Sequence, residues 1–322
     1  TLINPVCCEM LNLPGYEEVR DHPIEQWITD ANLLDSVQLL LHGEHSFLQV
    51  EITLDDAPVR VLSTSITPKQ DGGCILVLTD VTDVRRLERI RRDFVANVSH
   101  ELRTPVSVMT ACSEALADGA IDDPVASRDF IGSIQRNATR LGNLISDLLA
   151  LSRIEAGEQP LLVHTVRIHP IVAHCLDSVR AKAHTRHQEI TCTVDSTFEV
   201  RADANALEQI LVNFLDNAIK YTPEHGHIEL TAISEDGWVE IQVKDNGPGI
   251  PEKHRSRLFE RFYRVDKGRS KDMGGTGLGL SIVQHLANAM GGGVGMRPNH
   301  PHGSCFWIRL ERSLPKTGTS RV

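Results

Sequence analysis

At 322 residues, with 41% hydrophobic and 24% charged side chains, the chain has an ordinary globular composition and room for two or three domains, each burying its own core. A formal charge of −10 excludes a general nucleic-acid binder, and no stretch approaches 18 uninterrupted apolar residues, so no membrane span is expected within it. Seven cysteines without a C-x-x-C pair fit a reducing compartment better than a disulfide framework. The chain opens on Thr1 with no signal-peptide pattern, as an excised piece of a longer protein would.

Residues 1–82 read as a small α+β module. Trp27–Leu41 carries apolar residues at helical spacing. Phe47–Leu54, Val59–Ile66 and Cys74–Thr79 are β-branched apolar runs, separated by turn-like breaks at 55–58 and 69–73, which predicts an antiparallel meander. From Val84 the period becomes helical. Val84, Leu87, Ile90 or Arg91, Phe94, Val98 and Leu102 form a narrow stripe among arginines, the pattern of a coiled-coil seam, and the helix is expected to reach about Leu116.

Within that helix lies FVANVSHELRTPVSVMT, Phe94–Thr110. His100 is followed by Glu101, and Thr104 stands four residues on, so one helical turn places its hydroxyl beneath the imidazole. Pro105 removes a helical N–H and is expected to loosen the ladder just after the histidine. A histidine next to glutamate is, taken alone, an ordinary polar pair on a solvated helix. Asp118–Pro124 is a turn. A second helix is predicted from near Ser127, with Phe130, Ile134, Leu141, Leu144, Ile145, Leu148 and Leu151 on one face and Gly157 at its end. Two such helices cannot enclose a core, so pairing of two copies into a four-helix bundle, an obligate homodimer, is expected.

Pro160–Pro170 reads as a linker into a second globular unit with strands near Glu189–Val194 and Phe198–Arg201. His164, His169 and His174, five residues apart, would point about 140° away from one another around a helix, and surface or structural roles are expected for them and for His184, His187 and the H-x-H pairs at 225/227 and 300/302. Asp203 is a good N-cap for a helix ending at Tyr221. Leu207, Ile210, Leu211, Phe214, Leu215 and Ala218 or Ile219 form its buried face, and Asn213, Asn217 and Lys220 its polar edge. Short amides with one ammonium suit Mg²⁺ and phosphate oxygens, although such a stripe is often only a solvated face. Trp238–Lys244 alternates like a strand and runs into DNGPGI, where a buried Asp245 could accept from an amino group while Gly247 and Gly249 allow close backbone approach. Val265–Gly274 is read as a lid. Gly275-Thr276-Gly277-Leu278-Gly279 then opens a helix to about Met290 whose N-terminal N–H groups could face an anion. A last strand is expected at Ser304–Leu310, and a disordered tail after Pro315.

SHELRTP resembles the phosphoacceptor box of bacterial sensor histidine kinases, which implies that His100 takes the γ-phosphoryl group of ATP. It also implies that Glu101 fixes the imidazole tautomer and that Thr104 positions water in the reverse, phosphatase reaction. LEQILVNFLDNAIKYTP resembles the N box of the GHKL ATPase superfamily, with Asn217 the Mg²⁺ ligand, Asn213 its helper, Lys220 on phosphate and Tyr221 near the nucleotide. Where gyrase-type relatives carry a water-activating glutamate, this chain has Asn213, so bound ATP is expected to wait for His100. DNGPGI is similar to the first glycine box, implying that Asp245 reads adenine. LFERFYR resembles the F box, with Arg264 the phosphate contact at the lid base. GGCILVLTDVT is similar to the end of a PAS domain, its Asp80-Val81-Thr82 leading into a signalling helix.

The resemblance implies a PAS-like α+β sensor over 1–82, an antiparallel helical hairpin for dimerisation and phosphotransfer over 83–158, an α/β two-layer ATP-binding sandwich over 159–313 and a tail at 314–322. It is nearest in kind to phosphate-regulon-type sensor kinases. ATP and Mg²⁺ are the implied cofactors and the aspartate of a response regulator the implied partner. The implied location is the cytoplasmic side of the inner membrane, reached through segments absent from this chain. The rival readings are a non-catalytic nucleotide-sensing scaffold and a resident phosphatase.

Overall fold

The computed structural model describes residues 2–20, 22–28, 30–54, 58–70, 72–156, 160–265 and 275–313. It divides into a unit of residues 1–96 and a unit of residues 97–322.

In the first unit, α1 (Pro5–Met10) and α2 (Tyr16–Val19) precede α3 (Ala31–Leu41). Helix α3 begins later than the apolar spacing from Trp27 suggests, because the Asp30 carboxylate accepts the Leu33 N–H at 2.9 Å and caps the helix there. Strands β1 (Leu48–Leu54), β2 (Arg60–Pro68) and β3 (Cys74–Asp80) form the expected antiparallel meander, with Ile52 opposite Leu62 and Leu62 opposite Asp80. Of the expected hairpin breaks, residues 55–57 and 71 lie outside the described residues. Leu33, Val37 and Leu40 share a buried core with Ile52, Leu62 and Ile66. At the exit, the Asp80 carboxylate accepts the Thr82 N–H at 2.9 Å, while the Thr82 hydroxyl accepts the Val61 N–H at 2.9 Å. The Asp-x-Thr step therefore ties the end of β3 to the start of β2. From it runs α4 (Thr82–Ala117), unbroken through the buried Pro105.

In the second unit, the 3₁₀ turn Ala120–Asp122 joins α4 to α5 (Pro124–Glu155). Helix α5 starts three residues before the expected Ser127, since Asp123 accepts the N–H groups of Val125 (2.8 Å) and Ala126 (3.2 Å) and Pro124 fills the first helical position, where no N–H is needed. Gly157, the expected stop, lies outside the described residues. Cys112, Leu144 and Leu151 are buried, whereas Val106, Ile131, Ile145 and Leu149 face outward on the single chain.

The expected linker at Pro160–Pro170 is instead ordered structure: β4 (His164–Arg167) pairs antiparallel with β6 (Glu199–Ala202), and α6 (Ile168–Thr185) begins at once. Pro170 is compatible with that helix because it sits in the first turn. A five-stranded sheet follows, in the order β5 (Glu189–Thr193), β7 (His227–Glu235), β8 (Trp238–Asp245), β10 (Ser304–Glu311), β9 (Gly293–Pro298). Only β5 and β7 run parallel; the other pairs are antiparallel. Helix α7 (Ala204–Tyr221) packs between α6 and α9 (Gly279–Ala289), and these layers form an α/β sandwich. The one-turn helix α8 (Glu252–Arg255) lies between β8 and α9 in the chain. The buried face of α7 is the one the spacing predicts, with Leu207, Ile210, Leu211, Phe214 and Leu215 fully enclosed and the Phe214 ring 5.6 Å from that of Phe306. The tail at 314–322 lies outside the described residues.

Candidate nucleotide and phosphoacceptor site

The second unit holds a cleft of about 1020 Å³ whose wall is built from the polar edge of α7, the C-terminal end of β8, the start of α9 and one face of α5. Helix α7 sets its floor. Asp203 caps the helix through Asn205 (2.9 Å) and Ala206 (3.0 Å), which fixes the rotation that buries Phe214 and turns Asn213, Asn217 and Lys220 to the cleft. The Asn217 amide donates to the Asn213 Oδ1 at 3.1 Å, so the Asn217 carbonyl oxygen is directed elsewhere and can serve a cation.

Asp245 ends β8 at 5% exposure, and its Oδ1 accepts the backbone N–H of Gly247 (2.8 Å) and of Ser304 (3.2 Å). Both bonds fall on one oxygen, which leaves Oδ2 to read a donor in the cleft. Burial pushes this carboxyl up, against the lowering effect of the two N–H groups. Gly249 borders the same wall. Tyr221 lies against Lys220, whose ammonium is 5.0 Å from the ring centroid.

The other end of the cleft is crowded with positive charge. The Arg264 side chain is enclosed, and its Nε and Nη2 atoms have no hydrogen-bond partner among the described residues, an expensive arrangement that an anion would relieve. Lys220 is pushed down, first by burial and then by the nearby Arg264 and Arg140. Glycines allow the loop before α9 to reach these heads: a Cβ at Gly275 would collide with Lys220 Nζ, and one at Gly279 with the Asn213 amide. Gly277 holds φ +76° with its carbonyl accepting the Phe262 N–H at 2.8 Å. Leu278 is buried, and its N–H donates to the Thr276 hydroxyl at 3.3 Å. Of the expected lid, residues 266–274 lie outside the described residues.

The helical hairpin departs from expectation. His100 is exposed on α4, but Glu101 does not engage it; the Glu101 carboxylate accepts from Arg140 Nη2 of α5 at 2.6 Å and lies 4.0 Å from Arg264 Nη1. Adjacent helical residues point about 100° apart, and buried cations on the glutamate's side outcompete a solvent-facing imidazole. The Thr104 hydroxyl donates to the His100 backbone carbonyl at 3.2 Å, one turn back, instead of meeting the ring. Sequence reasoning also missed Arg140, Asn143 and Asp147. They stand at i, i+3 and i+7 on α5, a polar stripe that was available as a signal, and Asp147 accepts from the Thr276 hydroxyl at 2.7 Å. Among the remaining histidines, His187 and His225 stack with centroids 5.1 Å apart, and no group of three or more His, Cys, Asp or Glu residues among the described ones could hold a metal.

Residues 90–157 match the His Kinase A (phospho-acceptor) domain, and residues 202–314 match the histidine kinase-, DNA gyrase B- and HSP90-like ATPase family. The chain belongs to the sensor histidine kinases. It is 33% identical to the sensor histidine kinase WalK of Bacillus subtilis over 298 residues, 91% of this chain and 48% of that protein. It is 37% identical to the phosphate regulon sensor protein PhoR of Pseudomonas aeruginosa over 212 residues, 66% of this chain and 48% of that protein. The chain thus spans about half the length of these two curated relatives, and a phosphate-regulon sensor stands among its relatives as the motifs suggested. Among solved structures, ShkA in complex with AMPPNP is 31% identical with a TM-score of 0.51, covering 69% of this chain and 46% of that one. No helix among the described residues is long and apolar enough to cross a membrane.

Proposed function

We propose that this sensor histidine kinase phosphorylates its own His100 from Mg-ATP and passes the phosphoryl group to an aspartate of a response regulator. The observation that supports the reading is the construction of the cleft: a buried carboxylate with one oxygen uncommitted at one end, and at the other the Lys220 and Arg264 cations, with Arg264 Nε and Nη2 unsatisfied among the described residues, set against the helical hairpin that bears His100. The residues fit the nucleotide. Asp245 Oδ2 would accept from the adenine amino group, Lys220 and Arg264 would hold phosphate oxygens, and Asn217 would ligate Mg²⁺ with Asn213 orienting its amide. Bound Mg²⁺ would offset charge on the transferring group. The His100 ring nitrogen then bonds to the γ-phosphorus as the bond to the bridging oxygen breaks, ADP keeps that electron pair, and the proton of the ring passes to a base. Asn213 cannot be a water-activating base, which supports transfer over hydrolysis.

In the same reading the domains run 1–82, 83–158, 159–313 and 314–322. The first is a PAS-like sensor, supported by its meander and Asp-x-Thr exit. Exposed Ile131, Ile145 and Leu149 support a homodimer in which a second hairpin covers them. Thr104 would position water in a phosphatase reaction on the regulator, and the chain would work at the cytoplasmic face of the inner membrane. The test is incubation with γ-labelled ATP. An acid-labile, base-stable label that is lost in His100→Gln supports the reading; a label retained by that variant, or nucleotide binding that never yields phosphohistidine, sinks it.

A further inference from the structure

Arg140 has no part in the reading so far. It lies on α5, outside the sandwich, and its side chain is only 10% exposed; Arg264, across from it, is 8% exposed. Both guanidinium groups address one atom, Glu101 Oε2, at 2.6 and 4.0 Å. Lys220 is the third cation, since the Cβ position of Gly275 that would collide with its Nζ lies 4.0 Å from Arg264 Nη2. Two guanidinium groups therefore share a single carboxylate, with the Lys220 ammonium close beside them. The other acids at this wall are engaged: Asp216 accepts from Lys182 at 2.8 Å, and Asp147 accepts from Thr276. Burial also raises the Asp147 carboxyl, which lowers its value as a counter-ion. Arg264 Nε and Nη2 have no hydrogen-bond partner among the described residues. Such a cluster is short of negative charge, and one and two turns further along α5 from Arg140 the residues of its own stripe, Asn143 and Asp147, line the cleft.

We propose that Arg140 is a positioning residue supplied by the helical hairpin: the terminal phosphates of the nucleotide and the Glu101 carboxylate compete for Arg140 and Arg264. Resting on the kinase reading, this gives Glu101 two states. Without triphosphate it is clamped by the two arginines, away from the His100 ring. With triphosphate the arginines turn to phosphate oxygens, which offer several acceptors to a bidentate fork, and Glu101 is released next to the nucleophile whose proton must leave. Loading of the cleft and readiness of the acceptor are thereby linked by an exchange of counter-ions, with no covalent step of its own.

The full chain titrated calorimetrically with Mg-AMPPNP and, separately, with adenosine tests the exchange. Arg140→Met should weaken AMPPNP binding about tenfold and leave adenosine unchanged, since one charge-assisted contact is lost at the phosphates alone. Glu101→Gln should tighten AMPPNP about threefold, by removing the competitor, and should lose most of that gain in the Arg140→Met background. Wild-type AMPPNP affinity in Arg140→Met, an equal loss for adenosine, or an undiminished Glu101→Gln gain in the double variant overturns the proposal. If Arg140→Met does not fold, Arg140→Lys carries the test, with about threefold weaker AMPPNP expected because the fork is lost and the charge kept, and unchanged affinity overturning the idea. Phosphohistidine is scored independently. A wild-type chain that binds AMPPNP with the expected competition but never labels defeats the kinase reading alone, while labelling at His100 with an unaltered Arg140→Met affinity defeats the competition alone.

Discussion

His100 and Asp245 are the two residues on which the proposed chemistry turns, and they are housed in opposite ways. Asp245 is buried, receives two backbone N–H groups on one oxygen, and ends a central strand of the sheet. His100 stands exposed on a long helix, with Glu101 turned to Arg140 and the Thr104 hydroxyl on the His100 backbone carbonyl, so that neither meets the ring. The difference fits the roles proposed for the two. A small rigid base is recognised best by a preorganised, water-poor pocket. A nucleophile that must accept phosphate from one protein surface and surrender it to another has to remain accessible, so its environment is completed by whichever partner arrives.

The sharpest break of that comparison is His100→Gln: if the open helix carries chemistry and not stability, labelling should fall to background, with unfolding free energy within about 0.5 kcal/mol of wild type by urea titration. A marked loss of stability would mean the histidine is structural after all. On the enclosed side, Phe214→Ala should cost about 3–5 kcal/mol, because α7 loses the ring that fills the space against Phe306, and a chemical melt showing under 1 kcal/mol would contradict the packing. Asp245→Asn should weaken ATP roughly 10–100-fold and relax discrimination against guanine nucleotides, since a charged acceptor becomes a neutral amide. Equal affinity for ATP in a fluorescence titration would remove the adenine-reading role.

Asp203→Ala, which removes the α7 cap, should cost about 1 kcal/mol and raise the KM for ATP modestly by letting the polar edge wander. The smallest effect concerns pH. Asp245 and Asp147 both have carboxyls raised by burial, so the folded state binds more protons than the unfolded one from their usual value near 3.8 up through the raised value. Their contribution is full below that window and is lost as pH rises through it. Asp147→Asn should therefore flatten the decline in stability across that interval, and an unchanged slope in pH-dependent melts would show that the side chain titrates normally.

Local signals were readable where one residue type answers one local need. Asp203 and Asp30 cap helices because a short carboxylate reaches an orphan N–H two or three residues on, although at Asp30 the apolar run upstream masked the cap. The apolar stripe of α7 told which face is buried, and with it where Asn213 and Asn217 point. Elsewhere the information was not local. Strand β9 reads G-V-G-M-R-P and carries little β signal; Gly295 is required because the Trp307 ring of β10 occupies the space a side chain would take. Strand β4 exists because β6, some 36 residues away, offers it an edge, which is why Pro160–Pro170 read as a linker.

The order of motifs, the caps and the helical and strand periods were determined by the amino-acid sequence alone, since each depends on neighbours within a turn or a residue pair. Which charge faces which was decided only by the tertiary structure. Glu101 sits beside His100 in the chain yet answers to Arg140, 39 residues later, and to Arg264, because a carboxylate's energy depends on the nearest unshielded cation in space and not on its position along the backbone.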